Sequence, residues 1–124
     1  MDERIERALR HGHRIDITTT GRRTGAARRI EIVFHSFGGR LYITGSPSRR
    51  RRAWLLNLEA DQHLTFHLKG SVTADLPATA RIITDEAERR AILVEVVKVW
   101  ERMDVETMTR YSPLIEVTLD DRAT

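Results

Sequence analysis

Residues 14–44, RIDITTTGRRTGAARRIEIVFHSFGGRLYIT, decide how this chain folds. Ile15 and Ile17 alternate with Asp16 and Thr18, and Ile30, Ile32 and Phe34 alternate with Glu31 and Val33. A period of two in β-branched and aromatic residues belongs to strands with one face buried. Gly21 and Gly25 bracket the turn GRRTG, and Gly38-Gly39 closes a second hairpin into a strand over Leu41–Thr44. Three antiparallel strands in a meander follow from this local pattern.

Outward from that stretch, MDERIERALR at the N-terminus spaces Ile5, Ala8 and Leu9 as one narrow apolar stripe, so a short helix is expected within residues 1–12. After Thr44 the alternation breaks into the basic loop GSPSRRRR (45–52), and RRAWLLNLEA (51–60) reads as a short helix with Trp54, Leu55 and Leu58 on one side. HLTFHLK (63–69) resumes the strand period, and Val72, Ala74 and Leu76 continue it after a turn. Pro77 is expected to bend this strand or to lie at its edge before it continues over Ala80–Thr84. Asp85 and Glu88 have the spacing of a capping box for a long outer helix over 85–102. The segment PLIEVTLD (113–120) gives a sixth strand, with Ile115, Val117 and Leu119 inward. Six short antiparallel strands hide their edges most directly by closing on themselves. The expected class is mainly β with helices (α+β), a six-stranded antiparallel barrel filling a single domain over 1–124.

Composition narrows the function. Of 124 residues 40% are hydrophobic and 31% charged, which excludes a disordered or fibrous chain. The chain has no Cys, which excludes thiolate chemistry and fits a reducing cytoplasm. No apolar run approaches the roughly 20 residues of a membrane span, and the first residues do not read as a signal peptide. The apolar stripe of the N-terminal helix leaves contact with a membrane surface open. The net charge of +3 hides an asymmetry: residues 1–58 carry 13 Arg and 5 acids, and residues 59–124 carry 8 Lys or Arg and 13 acids. Between Gly21 and Leu58 nine Arg face the single acid Glu31. Such a run is either a solvated basic surface or the footprint of an anionic ligand, a nucleic acid or a phosphate-bearing cofactor.

The usual catalytic signatures are missing. His63 and His67 share a strand face about 13 Å apart and cannot hold one metal. His11 and His13 lack a carboxylate at ligand spacing, so no metal site is expected. The chain has no P-loop, no nucleophile elbow and no zinc-protease motif. What remains is a pair of basic loops, Arg22-Arg23-Thr24-Gly25 with Arg28-Arg29, and Ser46 to Arg52. In a meander the chain reverses twice between them, so both fall at one end of the sheet and line one groove. Guanidinium groups there bind phosphate or carboxylate bidentately, and the helix starting near Arg51 adds its partial positive charge. Trp54 and Asn57, three apart on that helix, face either the groove or the core.

These residues resemble the deazaflavin-dependent nitroreductase family, which shares the split β-barrel of flavin-mononucleotide-binding proteins. The resemblance rests on TTTGRRTGAARRIEIVF (18–34), GGRLYITGS (38–46) and P-x-x-x-x-x-A-W-x-x-N-L-x-A from Pro47 to Ala60, and it extends over roughly residues 15–100. It implies an oxidoreductase that uses the deazaflavin coenzyme F420, whose phosphodiester and oligoglutamate tail would account for the Arg excess. It implies hydride transfer to a small electron-poor substrate of quinone or nitroaromatic type, which needs proximity and alignment instead of a protein nucleophile. Carried over by position, Arg23, Thr24, Arg28, Arg29 and the loop with Ser46, Arg49, Arg51 and Arg52 would meet the phosphate and tail. The backbone over Ile30–Ile32 would face the deazaflavin ring, with Trp54 and Asn57 bracing the loop. Tyr111, just before the last strand, is the candidate proton donor. The chain departs from the pattern at Glu31, where the family has Pro, and in its four consecutive Arg at 49–52.

Two other readings stand beside this one. The first is a flavin-mononucleotide or haem binder on the same barrel, and the second a small nucleic-acid-binding barrel. Only Phe34, Tyr42 and Phe66 offer stacking aromatics for the latter, and two of them alternate with core residues, which disfavours nucleic acid. A small-molecule substrate is the expected partner, and barrels of this type form homodimers in related families.

Overall fold

A computed structural model describes residues 1–122. Six strands, β1 (Arg14–Thr20), β2 (Ala27–Phe37), β3 (Arg40–Thr44), β4 (His63–Lys69), β5 (Thr73–Ile82) and β6 (Leu114–Leu119), close into a barrel in the order β1-β2-β3-β6-β5-β4. Every pairing is antiparallel; β1 pairs with β4 through Asp16↔His67 and Ile17↔Phe66, and β3 meets β6 through Ile43↔Ile115. This is the six-stranded barrel that the alternation dictates. The inner face takes Ile15, Ile17, Phe34, Ile43, Phe66 and Ile115, all 0% exposed. Phe34 and Phe66 meet edge to face at a centroid distance of 5.2 Å, the geometry that a ring quadrupole favours. At the β2–β3 hairpin Gly38 and Gly39 have φ of 57° and 77°. A two-residue turn of this hand needs positive φ at both positions, which glycine adopts without strain.

Helices close the ends and cover one flank. The N-terminal helix α1 spans Glu3–Ala8, shorter than the expected 1–12, and is capped by the Asp2 carboxylate on the Arg4 amide. Its stripe of Ile5, Ala8 and Leu9 packs on the barrel core. Of the apolar face considered for a membrane surface, Leu9 is buried and Ile5 and Ala8 are half-buried against the barrel. Helix α2 (Ala53–Ala60) buries Trp54, Leu55 and Leu58 in the same core. Helix α3 (Glu86–Val99) stops before the expected Arg102, and a further helix, α4 (Val105–Tyr111), follows it. The pair packs Ile92, Leu93, Val96 and Met108 into a second core over Tyr42 and Leu114.

One local expectation needs correction, and another resolves to one of its two outcomes. Asp85 accepts the Glu88 amide at 2.9 Å, but the Glu88 carboxylate turns to Arg81, so only half of the capping box forms. Of the two outcomes expected at Pro77 the edge position holds and the bend does not: the register runs unbroken through Thr65↔Pro77. Pairing with β6 begins only at Ala78, so at Pro77 the strand has β4 alone beside it, and the missing N–H costs no ladder bond on the other side.

Candidate functional site: two basic clefts that share Arg52

The turn between β1 and β2 and the loop between β3 and α2 do fall at one end of the barrel. Between them lies a cleft of about 820 Å³, and its rim carries Arg22, Arg23, Thr24, Arg28 and Arg52. Its floor is apolar, made of Ile30, Ala53 and the edge of the largely buried Trp54, which is 7% exposed. Gly25 sits in the turn at φ 75°, and the turn is tied by Gly25 N–H to Gly21 C=O and by Gly21 N–H to Ala26 C=O. Such a turn presents its arginines on a fixed backbone.

Asn57 braces this turn from the opposite wall. It is 3% exposed, and its Oδ1 accepts the Arg22 amide at 3.1 Å and the Arg22 guanidinium at 3.3 Å. Its Nδ2 donates to Thr19 Oγ1 at 3.1 Å. Trp54 and Asn57 thus belong to core and cleft together. Arg52 donates to the Ser46 carbonyl at 2.8 Å, which folds the basic loop back on itself.

The basic residues divide among three places. Arg23, Arg28, Thr24, Ile30, Trp54 and Asn57 meet in the first cleft. Arg49 and Arg51 line a second cleft of about 420 Å³ with Tyr111, and Arg52 lines both. The third place is the outer barrel face. Arg29 points there and donates to Asp16 at 2.9 Å, one register step from Arg28, because alternation sends neighbours to opposite faces. Ile32 is spent on the barrel core, and Ser46 lines neither cleft.

Glu31 also belongs to the outer-face network. Lys69 donates to it, Arg14 lies 3.5 Å from it, and the Lys69 bond holds its carboxyl below the usual range. Asp16 is lowered in the same way, first by Lys69 and then by Arg29. Glu31, the one acid of the basic stretch, also lines the first cleft, where its charge is met by Lys69 and Arg14, and the guanidinium groups at the rim keep theirs for a ligand. Among the described residues no carboxylate pairs with Arg22, Arg23, Arg28 or Arg52.

In the second cleft Tyr111 is 39% exposed, with the Arg49 guanidinium 5.7 Å from its ring centroid. The Ser48 amide donates to the Tyr111 carbonyl at 3.1 Å. Arg89 fixes the backbone behind it, donating to the carbonyls of Ile83, Met108, Thr109 and Ser112 at 2.5–3.3 Å. Sequence reading missed Arg89 and Arg110, because both lie beyond the Arg-rich half and α4 carries no clear apolar period.

The remaining histidines are structural in their contacts. His63 pairs with Asp61 at 2.9 Å, while His67 bonds Asp75 and Thr18, each at 2.7 Å. Among the described residues no group of three His, Asp or Glu is placed to hold a metal. Phe34 and Phe66 are fully buried and Tyr42 is 7% exposed, which removes the stacking platform of the nucleic-acid reading.

Arginines without counter-ions over an apolar, Trp-lined floor provide the donors and the surface that an anionic, aromatic cofactor needs. The family comparison makes the chain a deazaflavin-dependent oxidoreductase on a split β-barrel. The family model of F420H(2)-dependent quinone reductases matches residues 2–120, and the chain belongs to that family. Solved structures agree in fold. A conserved hypothetical protein of Mycobacterium tuberculosis superposes with a TM-score of 0.76 at 15% identity, covering 97% of this chain and 81% of that one. An F420 reductase superposes at 0.73 and 14% identity, over 96% and 95% of the two chains. A protein that forms a domain-swapped dimer superposes at 0.65 and 20% identity, over 94% and 95%. No helix among the described residues is long and apolar enough to cross a membrane.

Proposed function

We propose that the cleft between the 21–28 turn and α2 seats reduced F420, and that the adjoining cleft at Tyr111 receives the electron acceptor, of quinone type. The observation that carries this reading is the shared wall: Arg52 lines both clefts, so their occupants lie side by side. Arg23, Arg28 and Arg52 hold the phosphodiester of the cofactor, and Trp54 with Ile30 supports its ring. When present, F420H2 supplies a hydride, and the acceptor takes it with one proton to leave as the two-electron-reduced product. This chain contributes binding and alignment, which together account for much of the barrier lowering in such reactions. Tyr111 donates the proton to the acceptor oxygen from the rim of the second cleft. Arg89 keeps that phenol in place through the carbonyls on either side of it.

The test is a titration of the protein with F420 and, separately, with flavin mononucleotide, following Trp54 and Trp100 fluorescence at two salt concentrations. Salt-sensitive binding of F420 at micromolar or lower concentration, with flavin mononucleotide weaker, supports the reading. Preference for flavin mononucleotide, or binding of neither, overturns it.

A further inference from the structure

The second cleft is more basic than a neutral quinone requires. It contains no acid, and the guanidinium groups around it are Arg49, Arg50, Arg51, Arg52, Arg89 and Arg110. Some are already engaged. Arg51 pairs with Glu59, and Arg89 spends its donors on backbone carbonyls. Arg49 rests on the Tyr111 ring, while Arg50 and Arg110 have no carboxylate partner among the described residues. Opposite them is an apolar wall of Leu55, Ile82, Ile83, Pro113 and Leu114. Ser112 adds an unsatisfied group: it is 4% exposed, it lines the same cleft, and its Oγ has no hydrogen-bond partner. A buried hydroxyl without a partner is costly unless a ligand or water satisfies it.

An apolar wall and a basic rim are complementary to a flat ring that carries an acid group. The volume of about 420 Å³ lies within the range of small-molecule pockets. We propose that this cleft selects an acceptor that is both aromatic and anionic, a carboxylated or sulfonated quinone or nitroaromatic compound. The ring lies along Leu55 and Ile82 beside Tyr111, and the acid group pairs with Arg110 and Arg49. Guanidinium groups take carboxylate and sulfonate through paired, charge-assisted hydrogen bonds, and a neutral acceptor leaves the mutual repulsion of the cluster uncompensated. The inference rests on the assignment of this cleft to the acceptor. The glutamates of a cofactor tail carry the same carboxylate chemistry, and the experiment separates the two sources.

Calorimetric titration of the full chain with 2-naphthoate and with the neutral 2-naphthamide reads the selection without any turnover, and so stays informative if F420 fails to bind. The naphthoate is expected to bind at least about tenfold more tightly, in keeping with a charge-assisted hydrogen bond. In Arg110→Gln the ratio of the two affinities falls toward one; Arg110→Lys, which keeps the charge, retains part of it. Equal affinities in the unchanged protein, or a ratio unmoved by Arg110→Gln, overturn the proposal. A further arm uses F420 with and without its glutamates. Naphthoate that binds alongside both forms supports an anionic acceptor, and competition by the tailed form alone assigns the cleft to the tail and overturns it.

Discussion

Asn57 on α2 accepts both the backbone amide and the guanidinium of Arg22, 35 residues earlier, through one side-chain oxygen at 3.1 and 3.3 Å. Through that contact the helix sets the position of the basic turn, and the third bond, to Thr19, ties both to β1. Asn57→Ala leaves Thr19 Oγ1 and the Arg22 amide without their partner in a buried place. The expected loss is about 1–3 kcal/mol in urea unfolding, together with weaker F420 binding. Asn57→Asp keeps the acceptor but loses the donor to Thr19, so it is expected to fall between the two. Unchanged stability in both variants would refute the bracing role.

Removing charge from the first cleft separates binding from folding. Arg23 and Arg28 are exposed and make no ion pair among the described residues, so Arg23→Gln and Arg28→Gln are expected to leave the unfolding midpoint within about 0.5 kcal/mol of the parent. Each is expected to weaken F420 binding by about tenfold or more at low salt and to flatten its salt dependence. Arg29→Gln is the control. Its guanidinium serves Asp16 on the outer face, and F420 affinity is expected to hold.

Tyr111→Phe keeps the ring under Arg49 and removes only the hydroxyl. Loss of a positioned acid typically costs about 10² to 10⁴ in rate. The expected result is a fall of at least about 10² in kcat for quinone reduction with F420 affinity unchanged, checked by steady-state kinetics beside the fluorescence titration. A kcat within twofold of the parent would remove Tyr111 from the proton step.

His35 is expected to give the protein a pH-dependent stability. It is 4% exposed on β2, stacked on Phe37 at 5.8 Å and edge-on to Trp100 at 5.0 Å, with Nε2 unpartnered among the described residues. Burial pushes its pKa below the ordinary 6.5, since the charged ring loses its water. Below pH 6.5 the unfolded chain takes up a proton that the folded chain resists, so stability falls as the pH drops from 7 toward 5. The carboxylates of Asp16, Glu31, Asp75 and Glu88 titrate below their ordinary values of 3.8–4.5 and stay out of this window. His35→Phe is expected to flatten the slope of unfolding free energy between pH 7 and 5; an unchanged slope would rule His35 out as its source.

The barrel was legible because its strands obey one rule almost without exception. Ile15/Ile17, Ile30/Ile32/Phe34, Leu64/Phe66/Leu68 and Ile115/Val117/Leu119 each put their apolar set on the inner face. Helix α4 was not legible. VETMTRY has no sustained apolar period, and its start is marked only by Asp104 accepting the Thr107 amide. The site was half legible for a related reason. Topology brings the two basic loops to one end, but the side to which each guanidinium turns depends on partners distant in sequence. Arg29 goes to Asp16, Arg51 to Glu59, and Arg22 to Asn57. A run of like residues carries no signal that would sort them.

The wall formed by Arg52 bears on the kinetics of turnover. On the proposed assignment the two ligands are neighbours at one guanidinium, so catalysis is expected to pass through a ternary complex, with initial-rate lines at varied acceptor concentrations that intersect. A site in which donor and acceptor took turns in one chamber would give parallel lines instead. With donor and acceptor side by side at Arg52, which is anchored 2.8 Å from the Ser46 carbonyl, sequential turnover is the expected outcome for this small barrel.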